Sequence, residues 1–90
     1  TMNRERRKNL KVILEQMEDL ATKVEEVKEA LQEVIDEEEE ALGNLPEGLQ
    51  ESERGEQMQE YIDAMEEVVD ALDELDMDDL REKIEEIALG

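Results

Sequence analysis

The only proline and three of the four glycines of this 90-residue chain fall between Gly43 and Glu56, separating two long runs of helical spacing. Gly43-Asn44 reads as a helix stop in which either residue tolerates left-handed backbone, and Pro46 forbids the helix to continue. The chain must therefore reverse here. The pattern predicts an all-α antiparallel hairpin of two long, coiled-coil-like helices: a helix over about 3–42, a turn over 43–51, and a helix over about 52–89. Leu45 and Leu49 are apolar in an otherwise polar connection, and are expected to fold back near Leu42 and Met58. Ser52 before Glu53 suits an N-cap of the second helix. Gly55, inside the first turn of that helix, costs about 1 kcal/mol against Ala. Two readings explain it: close packing of its backbone against a neighbouring helix, or an anion or partner contact made by Ser52, Arg54 and the bare N–H groups at Gly55.

In the first helix, apolar residues recur at Leu10, Ile13, Met17, Leu20, Val24, Val27, Leu31 and Val34, the alternating three-and-four spacing of a seam between helices. Val12, Ala21, Ile35 and Leu42 lie beside it and widen the stripe beyond what one partner helix covers. A second partner is implied. In the second helix Met58, Ile62, Met65, Val69 and Leu72 keep the heptad, and Met77, Leu80, Ile84 and Ile87 resume it after a slip. The slip marks either a kink near 73–79, capped by Asp76 or Asp78, or a continuous but distorted helix, which is the preferred expectation. Pairing residues whose numbers sum to about 99 would set Asp76 near Lys23 and Glu38 near Tyr61.

The chain holds 30 Asp and Glu against 10 Lys and Arg, a formal charge of −20, and no Cys or His. Disulfides, thiolate nucleophiles, imidazole bases and most transition-metal sites are thereby removed. So large a negative charge repels nucleic acid and anionic membrane and favours basic protein partners. One aromatic residue, Tyr61, leaves little for base stacking. No apolar run approaches the roughly 18 residues of a membrane span, and a cytoplasmic protein is expected. Thr1 ahead of Met2 reads as a cloning remnant.

The one basic segment, Arg4, Arg6, Arg7, Lys8 and Lys11, is opposed by the dipole at a helix N-terminus. It is read first as meeting Glu85 and Glu86 near the end of the second helix; an anion-binding arm or a solvated end are the alternatives. Carboxylates three and four apart would hold Ca²⁺ or Mg²⁺ loosely at best, and Asp76-Met77-Asp78-Asp79 lacks the glycine and distal glutamate of a calcium loop. No cofactor, metal or catalytic residue is therefore assigned, and the chain is read as a non-enzyme.

The stretch Asn44-Leu-Pro-Glu-Gly-Leu-Gln-Glu-Ser-Glu-Arg-Gly-Glu56, followed by an acidic helix rich in Ile, Met and Val, resembles small acidic helical proteins of phages and prophages of Gram-positive bacteria. That resemblance implies a helical hairpin and brings no activity with it. The first functional expectation is an acidic protein-interaction module, a phage-type inhibitor whose carboxylate row Glu60, Asp63, Glu66, Glu67, Asp70, Asp73 and Glu74 imitates nucleic-acid charge on a basic host protein. The alternative is a structural, self-associating bundle such as a phage assembly or scaffold component. The hairpin itself is expected to pair as a homodimer, burying Leu20, Val24, Val27, Leu31, Val34, Ile62, Met65, Val69 and Leu72 in a four-helix core. A small-anion or nucleotide binder using Arg54 or the basic segment is a third, weaker reading.

Overall fold

The computed structural model describes residues 3–90; Thr1, read as a cloning remnant, lies with Met2 outside the described residues. The described chain is helical throughout, with no strand: α1 (Arg4–Gly43), α2 (Glu47–Gln50), α3 (Glu53–Glu74) and α4 (Met77–Leu89). It is the expected all-α antiparallel hairpin, α1 pairing with α3 in one compact unit and with α4 in the other. Asn3 caps α1, its Oδ1 accepting from the Arg6 N–H at 2.9 Å. The described residues divide into two compact units, Glu26–Glu74 and residues 3–25 with Leu75–Gly90, and α1 contributes a segment to each.

In the Glu26–Glu74 unit, α1 turns Lys28, Leu31, Ile35, Glu38 and Leu42 inward, and α3 turns in Gly55, Met58, Ile62, Met65, Val69 and Leu72. Ile35 is 0% exposed and Ile62 2%, so these two branched side chains form the centre of the unit. In the other unit the inward residues are Arg7, Leu10, Leu14, Met17, Ala21 and Val24 of α1 with Met77, Arg81, Ile84 and Ala88 of α4. Both sets follow steps of three and four. Lettering the inward rows a and d places Leu14, Ala21, Lys28 and Ile35 at a, and Leu10, Met17, Val24 and Leu31 at d.

This register corrects half of the expected seam. Leu10, Met17, Val24 and Leu31 do face inward, as do Ile62, Met65, Val69 and Leu72, but Ile13, Leu20, Val27 and Val34 occupy g and remain exposed. The displaced partner row is a, where a small residue (Ala21) and a cation (Lys28) interrupt the apolar count. The uninterrupted g row outscored it on hydrophobicity alone. Lys28 lies inward because its ammonium reaches the carboxylate of Asp73 on α3, so its stem packs while its charge is paired.

The turn also differs from its expected chemistry. No described residue has positive φ, so Gly43-Asn44 does not end α1 in left-handed backbone. Instead the last turn tightens, with Asn44 N–H on Glu40 O at 3.0 Å and Leu45 N–H on Leu42 O at 3.2 Å, before Pro46 stops it. Within the expected loop, residues 47–50 form the short α2. Gln50 then reaches back, its amide donating to Leu45 O at 3.1 Å and Gly43 O at 3.4 Å, which satisfies carbonyls left open at the end of α1. Leu45 is half-buried as expected of a lid, whereas Leu49 is exposed.

The preferred continuous second helix is likewise corrected: α3 stops at Glu74 and α4 starts at Met77. Asp76 is the N-cap of α4, its Oδ1 accepting from the Asp79 N–H at 3.0 Å. Leu72 and Met77 are both inward and five residues apart, which in an unbroken helix would set them about 140° apart around the axis. Breaking the helix at Asp76 lets each segment aim its own row inward.

Candidate functional site

The two flanks of the hairpin are chemically opposite, and the heptad register shows why. When helices run antiparallel, the e positions of both fall on one side of the seam and the g positions on the other. In the Glu26–Glu74 unit the e side carries Gln32 and Glu39 of α1 with Gln59, Glu66 and Asp73 of α3; Glu39 and Glu66 interact directly across it. In the other unit Glu18 and Asp78, both at e, share Arg81 at 3.3 Å each. The residue numbers of Glu18 and Arg81 sum to 99, the register the sequence predicts.

The g side is apolar. In the Glu26–Glu74 unit it presents Val27 and Val34 of α1, 45% and 47% exposed, and Tyr61 and Val68 of α3, 53% and 50% exposed. The neighbouring c positions hold Ala30 and Glu37 on α1 and Gln57, Ala64 and Ala71 on α3, and Arg54 stands at g at the start of α3, all exposed. In the other unit Ile13 and Leu20 of α1 and Leu80 and Ile87 of α4 are exposed at the same position. Tyr61 therefore faces outward, about half exposed.

All seven carboxylates read as a partner-binding row, Glu60, Asp63, Glu66, Glu67, Asp70, Asp73 and Glu74, are exposed on α3 at e, b and f, one continuous arc next to the a row. Asp73 is engaged by Lys28 and Asp63 accepts from the Gln59 amide. The pKa of Glu66 is raised above the ordinary carboxylate value. The causes, in order, are loss of solvation beside the packed helices, the charge of Glu39, and the charge of Asp63, with a hydrogen bond to Glu39 and the charge of Asp70 adding to it. Among the described residues no group of three or more acidic side chains is arranged to hold a metal ion. No helix among them is long and apolar enough to cross a membrane.

At the turn, Ser52 caps α3: its hydroxyl donates to Leu49 O and receives the Gly55 N–H at 3.4 Å. Gly55 is buried, and a Cβ there would lie 2.6 Å from the Gln50 carbonyl carbon and 2.8 Å from Leu49 O. Its missing side chain is what lets the end of α2 lie on the first turn of α3. Arg54 is exposed. Among the described residues, none of Arg4, Arg6, Arg7, Lys8 and Lys11 forms an ion pair with Glu85 or Glu86, although Lys11 and Glu85 line one recess with Glu18 and Arg81. A cation that crosses between helices in that unit is Arg81 of α4, which reaches Glu18 of α1.

The sequence reading found the apolar g residues but assigned them to the interior. It missed Gln50 altogether, because a glutamine in a polar loop carries no signal until the carbonyls it reaches are located. No protein-family model matches this chain, and no curated protein or solved structure is similar to it at a significant level.

Proposed function

We propose that this chain is a non-catalytic helical module that works by self-association, two hairpins combining into a four-helix bundle. The observation that carries the reading is the row Ile13, Leu20, Val27 and Val34: four large apolar side chains at strict heptad spacing, exposed beside the inward a and d rows. A helix with a and d rows alone serves a two-stranded coil, whereas a helix with a third apolar row serves a bundle. A structural role such as an assembly or scaffold component follows, in line with the phage-type resemblance of the turn motif. Light scattering across a concentration series tests it. The expected mass is twice the 10.4 kDa of the chain, and a monomer at every concentration would overturn the reading.

A second reading keeps the acidic arc of α3 as a docking face for a basic host protein. What favours it is the Glu39–Glu66 pair, two carboxylates brought together across the hairpin, with Glu66 held above its ordinary pKa. A basic partner would relieve that repulsion, and the two readings are compatible because arc and apolar row lie on different flanks. Capture of a single basic protein at low salt and its loss at high salt, abolished by Glu66→Lys, would support this reading. Capture that survives high salt, or the same capture by the Lys variant, would count against it.

A further inference from the structure

We infer that the g side of the Glu26–Glu74 unit is the surface on which a second copy of this chain docks, α1 and α3 of one protomer lying across α1 and α3 of the other. This rests on the self-association reading and gives it a place. Three features of the face carry it.

The first is its composition against its surroundings. In a chain of 30 acids, the e side of this unit holds only Gln, Glu and Asp, while the g and c positions hold eight apolar residues, Val27, Ala30, Val34, Ala41, Tyr61, Ala64, Val68 and Ala71, against one carboxylate, Glu37, one amide, Gln57, and one cation, Arg54. Solvent exposure alone gives no reason for so sharp a division between two equally exposed flanks. The second is self-complementarity. Val27 and Val34 on α1 and Tyr61 and Val68 on α3 each repeat at seven residues, about 10.5 Å along a helix. Ridges from one copy therefore keep step with the recesses that Ala30, Ala64 and Ala71 leave in the other, as a two-fold interface requires. The third is size. The 22 residues of α3 make a face about 33 Å long, and two helices side by side make it about 20 Å wide. The footprint, roughly 650 Å², approaches the ~800 Å² per partner of a standard stable interface.

Charge fixes how this association depends on salt. The f rows on either side of the face are Glu26, Glu33 and Glu40 on α1 and Glu60, Glu67 and Glu74 on α3. Two copies bring acidic rims together, so added salt strengthens pairing, whereas a basic helix seated in the same place would be released by salt.

Sedimentation equilibrium at low and high NaCl, on the full chain and on Val68→Asp and Ala71→Arg variants, tests the inference, with circular dichroism confirming helicity. The wild-type chain is expected to dimerise, more tightly at high salt. Each variant is expected to retain its helicity and to weaken the dimer by about 100-fold or more, since every substitution enters a two-fold interface twice. Quenching of Tyr61 emission reports this face directly, because no other aromatic residue is present; the dimer should protect it and the variants should expose it. A monomeric wild-type chain at all salts would overturn the self-association reading itself. A wild-type dimer unaffected by both substitutions, with Tyr61 still freely quenched, would leave that reading standing and overturn the assignment of this face. Should Val68→Asp lose its helicity, Ala71→Arg, at a small and fully outward position, decides alone. A dimer that tightens as salt is removed would also overturn the face as placed.

Discussion

Two single residues show how little room the hairpin has at particular atoms. Gly55 is required by distance rather than by backbone conformation: its φ is not positive, yet backbone carbonyls of Leu49 and Gln50 occupy the space a Cβ would take. Backbone atoms cannot rotate aside, so Gly55→Ala must push α2 away from α3. The change is expected to destabilise the chain by about 2 kcal/mol, against the helix propensity that ordinarily favours Ala; a urea titration of the two chains measures it. The sequence does flag this residue as an anomaly, since glycine in a helix's first turn has a cost, but the obstructing carbonyls belong to α2, which has no periodic signal of its own. Glu66 makes the electrostatic case. Its folded pKa lies above its unfolded value, so the stability linked to its proton is fully present below the unfolded pKa and is lost as pH rises through the folded one. Thermal melts of Glu66→Gln should therefore exceed those of wild type at pH 7, and the difference should shrink to nothing as pH falls below the ordinary glutamate value of 4.5. An advantage that persisted there would show that charge is not its cause.

At the scale of elements, the break between α3 and α4 is the clearest case of a feature half legible in advance. The slipped heptad between Leu72 and Met77 is visible in the sequence, and so is a candidate cap at Asp76. What decides between a distorted helix and a broken one is whether the facing arm tolerates an inward row rotated by about 140°, and that depends on packing. The cap itself is ordinary: one Asp76 oxygen on the Asp79 N–H, at 3.0 Å. Asp76→Ala should cost about 1 kcal/mol, while Asp76→Asn, an equally good cap, should cost almost nothing. Thermal denaturation of the pair separates loss of the cap from loss of the charge. The same lesson applies to α1. Periodicity found most apolar positions but passed over Leu14 of the a row, and choosing which two of three adjacent rows face inward required knowing that Lys28 has Asp73 opposite it. A cation in the a row looks like an interruption in one chain and like a paired group in the fold, and such pairs tend to fix register rather than add stability.

For the molecule as a whole, the question is how a chain with a formal charge of −20 stays folded and how it would pair with a second copy as proposed. Its interior is thin, with Ile35, Ile62 and Ala88 the buried apolar residues, so hydrophobic burial within one hairpin has a small margin over self-repulsion. Covering the exposed g rows is the route by which such a chain gains apolar burial without adding residues. The two rows then respond differently to the same insult. Leu31→Asp places a carboxylate in the interior and should cost about 3 kcal/mol or more, unfolding the hairpin. Val27→Asp, one turn away but on the g side, should leave the isolated hairpin within about 1 kcal/mol of wild type while dissolving the dimer. Salt provides the complementary measurement. Screening contracts from about 10 Å at 0.1 M to about 3 Å at 1 M, so the melting temperature should rise with NaCl for wild type and Val27→Asp alike, because both carry the intramolecular repulsion. A further rise with protein concentration is expected for wild type alone, because mass action stabilises only what associates. If Val27→Asp showed the same concentration dependence, the g row would have no part in association; if neither chain showed any, the hairpin would be a monomer with its apolar flank bare.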